Sequence, residues 1–421
     1  MTESEISASK IKIAIIGAGA SGMMAAIQSA KRGAEVYLYE KNDRPGRKML
    51  ITGKGRCNLT NNCSVSDFIL NVPTNSKFLY SSISGFSPYD TMNFFEELGV
   101  PLKTERGNRV FPISDKSSDI VNAMVAECKN LSVNLIHSKV NSIAIENGRA
   151  VGIITDSLKL YDRVIVATGG LSYPRTGSTG DGYRFAKKAG INVTDLSPSL
   201  VPLETSEKWC AALQGLSLKN VSLKVVDTAE NNKIVYSDFG EMMFTHFGVT
   251  GPIILSASSH IHGITPGRYK FVIDLKPALD FETLDNRILS DFAKYRNKIY
   301  SNSLNDLLPS KLIDIFVTLS GIPADKKTNT ITKEERRSIV TLMKNLTFTI
   351  SRPRPIEEAI ITSGGIDVKE IYPRTMESKK IKGLYFIGEV LDVDAYTGGF
   401  NLQIAFSTAF TAAKAATSES D

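Results

Sequence analysis

No stretch of this chain reaches the roughly 18 consecutive apolar residues that a membrane-spanning helix requires, so no span is expected. The first ten residues, MTESEISASK, lack the basic start and apolar stretch of a secretory signal, which makes the cytoplasm the expected location. Cysteine is scarce: Cys57, Cys63, Cys128 and Cys210 are scattered, framing neither a disulfide scaffold nor paired CxxC zinc knuckles. Histidine is also scarce, with only His137, His246, His260 and His262. His260 and His262 stand two apart with no further ligands clustered around them, so no metal is expected. There is no internal repeat and no low-complexity segment beyond a polar tail, TSESD, that is expected to fray. Nor is the charge extreme: a net +6 and a pI near 8.9 favour a polyanionic partner such as RNA only weakly.

What is present points to ordinary globular structure. At 421 residues and 42% hydrophobic, the chain is long enough for two or three domains with separate cores. Residues 11–16, IKIAII, read as a buried parallel strand, and GAGASG follows at once. Gly17 permits the tight turn, Gly19 lets the backbone approach a pyrophosphate, and Gly22 lets helix and strand pack closely. The helix opening at Ala20 and Ser21 aims unpaired N–H groups and the positive end of its dipole at the phosphates. A second strand, EVYLYE, ends in Glu40, about 20 residues beyond the glycines, where an acid accepts both hydroxyls of a ribose. An anion there disfavours a 2′-phosphate. FAD or NAD is therefore expected rather than NADP.

Two later segments choose between those cofactors. DRVIVATGG, residues 162–170, is an apolar strand ending in Ala167-Thr168-Gly169, after a small meander with an Asn147-Gly148 turn. It resembles the strand that returns the chain to the FAD site in flavoproteins with two dinucleotide-binding domains. Residues 383–416 read as a strand, an acidic loop and a helix entered through Gly398 and Gly399. This looks like the carboxy-terminal flavin motif of the same superfamily. The resemblance implies that Gly388 with Glu389 or Asp392 holds the ribityl or pyrophosphate region, and that Asn401, Leu402 and Gln403 lie under the isoalloxazine beside a helix start that favours the charge of reduced flavin.

RPGRKMLITGKGRCNLTNN at 44–62, GLSYPRTGSTGDGY at 170–183, FTHFGVTGP at 244–252 and GLYFIGEVLDVDAYTGGFN at 383–401 occur in that order. Together they resemble, almost end to end, a bacterial NAD(P)/FAD-dependent oxidoreductase family that includes BaiN, aminoacetone oxidase and the flavin-dependent ribosomal RNA dihydrouridine synthase. The resemblance implies an α/β, Rossmann-like FAD fold carrying an inserted β-rich domain and a helical insert. The expected boundaries are 1–195 and 365–421 for the FAD domain, 196–279 and 346–364 for the β-rich domain, and 280–345 for the helical insert. Short strands such as SLKVVD and RYKFVIDL mark the second, and apolar residues at helical spacing in 283–300, 304–321 and 333–346 mark the third.

Six basic residues, Lys41, Arg44, Arg47, Lys48, Lys54 and Arg56, face one acid, Asp43, in the 41–56 segment. Lys41, Arg47 and Arg56 are expected to neutralise phosphate, with Gly55, Asn58 and Val140 as further cofactor contacts. Cys57 and Cys63 have five residues between them, one more than the cysteine pair of disulfide reductases, and no second glycine-rich nucleotide motif accompanies them. Cys57 alone is either a proton donor beside the flavin or a packing residue. His246 is the second candidate for that proton. Without a dedicated NAD(P) domain, electrons come either from NAD(P)H admitted transiently to the flavin or from the substrate. The first route implies a reductase that saturates a polarised C=C bond, in ribosomal RNA uridine ahead of a small enone. The alternatives are an O2-using amine oxidase and a non-catalytic flavin-dependent RNA-binding or redox-sensing protein. RNA contact is expected from Arg287, Lys294, Arg296, Lys298, Lys326, Lys327, Arg336 and Arg337.

Overall fold

Five parallel strands form the central sheet of the computed structural model, in the order 384–386, 163–166, 12–16, 35–40 and 134–137. The structure describes residues 10–261 and 263–418; residues 1–9, His262 and the last three of the tail lie outside them. Ile13, Ala14, Ile15, Val164, Ile165, Val166, Leu384 and Phe386 are all buried, as parallel strands covered on both faces require. The glycine turn feeds the helix Ala20–Lys31, which lies close to the last helix, Phe400–Ala416. That last helix is apolar nearly all round and buried along its length, from Phe406 through Ala409 and Ala412 to Ala416.

The chain divides into two compact units, residues 1–199 with 356–421, and residues 200–355. The sheet belongs to the first. That unit also holds the meander Ser142–Glu146, Arg149–Ile154 and Leu158–Leu160, whose first hairpin turns through Asn147 and Gly148, both at positive φ. It also holds a three-stranded sheet of Thr60–Asn61, Arg109–Pro112 and Leu102–Glu105 and a two-stranded sheet of Ser197–Ser199 and Ile361–Ser363.

The second unit is a closed antiparallel barrel of Leu203–Thr205, Gly248–Thr250, Lys233–Phe244, Ser217–Asp227, Tyr269–Asp274 and Leu346–Pro353. Leu223, Val225, Phe271, Ile273 and Phe348 point inward by strand alternation, and Trp209 packs against Phe244 and Phe348. Between its last two strands come the helices Phe281–Lys294, Ser310–Ser320 and Lys333–Lys344. The first ends six residues short of the expected 283–300. The second begins only after Pro309, which lacks an N–H and restrains the residue before it. Of the eight basic residues expected to meet RNA, Arg287, Lys294, Lys326 and Arg336 are ion-paired, to Asp291, Asp306, Glu335 and Asp285. Among the described residues no helix is long and apolar enough to cross a membrane, and no group of three or more His, Cys, Asp and Glu side chains is placed to hold a metal.

Candidate cofactor site

A cavity opens where the carboxyl ends of the parallel strands meet, the usual ligand position of an open α/β sheet. Ile16, Tyr39, Glu40, Ser138, Val140, Ala167, Thr168 and Glu389, each at or just past a strand end, all line it. The three glycines of the first turn divide their work sterically. A Cβ on Gly17, at φ +104°, would sit 2.5 Å from the Ala167 carbonyl oxygen, and one on Gly22 would sit 1.8 Å from that of Gly17. A Cβ on Gly19 would meet nothing within 4 Å. Protein therefore closes the positions of Gly17 and Gly22, whereas Gly19 faces space that a ligand can fill.

Glu40 is buried at the end of its strand. Its carboxylate accepts the Ala18 and Asn42 backbone N–H groups, each at 2.9 Å, and the Asn42 side-chain amide at 2.6 Å. Lys41 donates to Asp181 at 2.6 Å. Burial alone would raise the Asp181 carboxyl, but Lys41 and Arg184 outweigh it and hold it below its ordinary value. Lys48 donates to Glu389 and to Ser172, both at 2.6 Å. In all, five basic side chains (Lys41, Arg44, Arg47, Lys48, Lys139) and three acidic ones (Glu40, Asp181, Glu389) line the cavity, an excess that matches the two charges of a pyrophosphate. Thr168 Oγ1 and Asn58 Oδ1 are buried without a hydrogen-bond partner in the protein; Thr168 lines the cavity, but its hydroxyl lies against Gly182, where a Cβ would come within 2.3 Å of it. A hydroxyl left so costs free energy unless a ligand satisfies it.

At the entry to the last helix, Asn401 and Leu402 line the cavity. Asn401 also closes the preceding loop, accepting from the Ala395 N–H at 3.0 Å and donating to its carbonyl at 2.7 Å. Gln403 does not reach the cavity: it is fully buried, accepting from Thr60 at 2.5 Å and donating to the Phe86 carbonyl and to Ser407. Gly399, at φ +99°, lies against Thr60, where a Cβ would come within 2.3 Å of the backbone. Gly388 donates to Thr408 at 3.0 Å. Asp392 is not among the lining residues, and burial pushes its carboxyl up.

Of the remaining candidates, Ala20, Ser21, Gly169 and Arg47 line the cavity, whereas Gly55, Arg56, Cys57 and Asn58 do not. Arg56 instead pairs with Glu105 and Asp115 and covers the Phe111 ring. Cys57 is fully buried in the core at φ +58°, and burial pushes its thiol up to about 12. His246 lies in the second unit, exposed in the turn before Gly248–Thr250, with its ring edge-on to Phe247. Sequence reasoning singled out neither Ser172 nor the Lys48–Glu389 pair. Ser172 falls within the 170–183 motif and Lys48 within the basic run, and that was the available signal.

The cavity thus suits FAD: a glycine turn open at one position, a buried acid at the end of the second strand and two surplus positive charges. The sequence matches, over residues 11–415, the family described as HI0933-like protein Rossmann domain. It is 32% identical over 409 residues to the ribosomal RNA dihydrouridine synthase of Escherichia coli (strain K12), covering 95% of this chain and 96% of that protein. It is 30% identical over 411 residues to the 3-dehydro-bile acid delta(4,6)-reductase of Clostridium scindens, covering 96% and 98%. Among solved structures it resembles the 3-ketosteroid-delta4-(5alpha)-dehydrogenase of Rhodococcus jostii RHA1 in fold, with a TM-score of 0.54 at 14% identity over 99% of both chains.

Proposed function

The chain belongs to the HI0933-like protein Rossmann-domain family, and on that premise we propose that this FAD-dependent oxidoreductase adds hydride to a polarised C=C bond, in ribosomal RNA uridine ahead of a small enone. One observation carries the reading. Three relatives matched over nearly their whole length are named for saturating a C=C bond, two in RNA and one in a bile acid. Neither name describes an amine oxidase, so that alternative is not favoured. A ribosomal RNA substrate would be met in the cytoplasm.

Bound FAD would supply the two-electron carrier, taking hydride from NAD(P)H and passing it to carbon. The chain's own residues bind and orient. The turn at Gly17, Gly19 and Gly22 would receive the pyrophosphate, Glu40 the ribose hydroxyls and Glu389 the ribityl chain, with Val140 beside the nucleotide. We assign this work to residues 1–195 and 365–421, and substrate handling to the β-rich segments 196–279 and 346–364 with the helical insert 280–345. Hydride addition to one carbon leaves the neighbouring carbon in need of a proton. His246 is exposed, whereas Cys57 is walled in by the core, so we take His246 as the donor.

Mass spectrometry of large-subunit ribosomal RNA, from cells with and without the gene, tests the substrate. A dihydrouridine lost on deletion supports it. Unchanged dihydrouridine content, in a host without a duplicate enzyme, overturns it in favour of a small enone.

A further inference from the structure

The Lys48–Glu389 pair has a place along the cavity that the sheet itself measures. Glu40 ends the strand 35–40; the strands 12–16, 163–166 and 384–386 follow in order, and Glu389 lies three residues past the last of them. Three interstrand steps of about 4.8 Å separate the ribose acid from this far edge by roughly 14 Å. FAD held with its ribose at Glu40 and its pyrophosphate at the glycine turn would have Glu389, on the same cavity, to hold its ribityl half.

The pair is built, not incidental. Glu389 Oε2 accepts from Lys48 at 2.6 Å, while Oε1 accepts from the Ser172 hydroxyl at 2.9 Å and the Thr362 N–H at 3.1 Å. Lys48 also donates to Ser172 at 2.6 Å, which closes a triangle of three side chains from three separate segments. Two of the three ammonium donors are spent in this way. Lys48 and Glu389 both line the cavity, and their side chains are only 25% and 20% exposed. At such partial burial a unit charge acts on its neighbours more strongly than in bulk water. The two charges cancel, so removing either partner uncovers the other.

We propose that Lys48 and Glu389 are a balanced charge pair beside the bound flavin, each of which alone would shift its reduction potential, Lys48 favouring the reduced anionic form and Glu389 opposing it. The inference rests on FAD occupying this cavity. It differs from a purely structural role in the signs it requires. A pair that only held two loops together would weaken cofactor binding whichever partner was lost. A charge balance must shift the potential in opposite directions.

The experiment is a spectroelectrochemical titration of the flavin-loaded protein with FAD in excess, comparing wild type with Lys48→Met, Glu389→Gln, Lys48→Arg and the double variant Lys48→Met with Glu389→Gln. Lys48→Met should lower the midpoint, with a reduced-to-oxidised ratio at the wild-type midpoint at least about tenfold smaller, equivalent to ~30 mV for a two-electron couple. Glu389→Gln should raise it. The double variant and Lys48→Arg should return to within about threefold of wild type by the same measure. Single variants that shift in the same direction, that do not shift, or that cannot hold flavin even in excess FAD would overturn the proposal. Wild-type protein that neither contains nor takes up FAD would instead overturn the reading on which it rests.

Discussion

Cys57 carries its thiol where water does not reach, and burial pushes that thiol up to about 12. Cys63 is pushed up to about 11 by burial and by Asp67, and Cys128 and Cys210 to about 12, with burial the leading cause in each. Each thiol therefore keeps its proton in the folded chain at pH values where the unfolded chain has lost it. That contribution to stability is complete below an unfolded pKa of about 8.5 and drains away as the pH rises toward the folded values. Urea unfolding between pH 8 and 10.5 should thus show a falling stability that is less steep in Cys57→Ala, and an unchanged slope would mean that the thiol ionises freely in the fold. The same variant should turn over within a few-fold of wild type, while His246→Gln loses roughly 10²–10⁴-fold, the usual contribution of a general acid. Reversal of those two results would return the proton to Cys57. The sequence could not decide this: CNLTNNC fixes a spacing, but Cys57 is buried as part of a core that also takes in Val110 and Met124 from other segments. The placement of Glu40 was legible for the opposite reason, since it depends on the end of one strand and a turn about 20 residues before it.

At the scale of the element, the glycine turn separates folding from binding within six residues. Gly22→Ala would place its Cβ 1.8 Å from the Gly17 carbonyl, so the helix Ala20–Lys31 must move off its strand. Overpacking of that severity should cost more than about 3 kcal/mol and lower the melting temperature of the cofactor-free protein. Gly19→Val meets open space and keeps an extended backbone at φ −82°, which valine adopts readily. It should therefore melt like wild type when cofactor-free, yet be purified without yellow colour. A Gly19→Val protein holding full flavin would mean that the phosphates lie elsewhere. This contrast could be read from GAGASG because a strand, a turn and a helix adjacent in sequence make it. Helix ends were less legible. The apolar spacing of 283–300 runs on to Tyr300, but the helix stops at Lys294, and the Thr328 N–H then donates to the Lys298 carbonyl in a turn that only the folded chain brings together. The start of Lys333–Lys344 was marked locally by the Thr332 and Glu335 capping box.

At the scale of the whole molecule, motifs at the start, middle and end of the chain become neighbouring strands 12–16, 163–166 and 384–386, and each delivers its loop to one cavity. Their order was legible because each motif is local and parallel strands of this kind deliver ligand loops at their carboxyl ends. Closure of the barrel was not, since Leu203–Thr205 pairs with Leu346–Pro353 across more than a hundred intervening residues that no local pattern links. The sequence holds a single glycine-rich dinucleotide turn, with no second one to seat NAD(P)H while a substrate waits. If NAD(P)H is the donor, it and the C=C substrate must each come to the same flavin, one leaving before the other enters. The kinetics should then be ping-pong. Initial rates measured against substrate at several fixed NAD(P)H concentrations should give parallel double-reciprocal lines, and excess NAD(P)H should inhibit competitively against the substrate. Stopped-flow reduction of the flavin by NAD(P)H should proceed at the same rate with and without substrate present at low concentration. Lines that intersect would mean that both bind together, and the single dinucleotide turn would then have to be supplemented by a nucleotide site of a different kind.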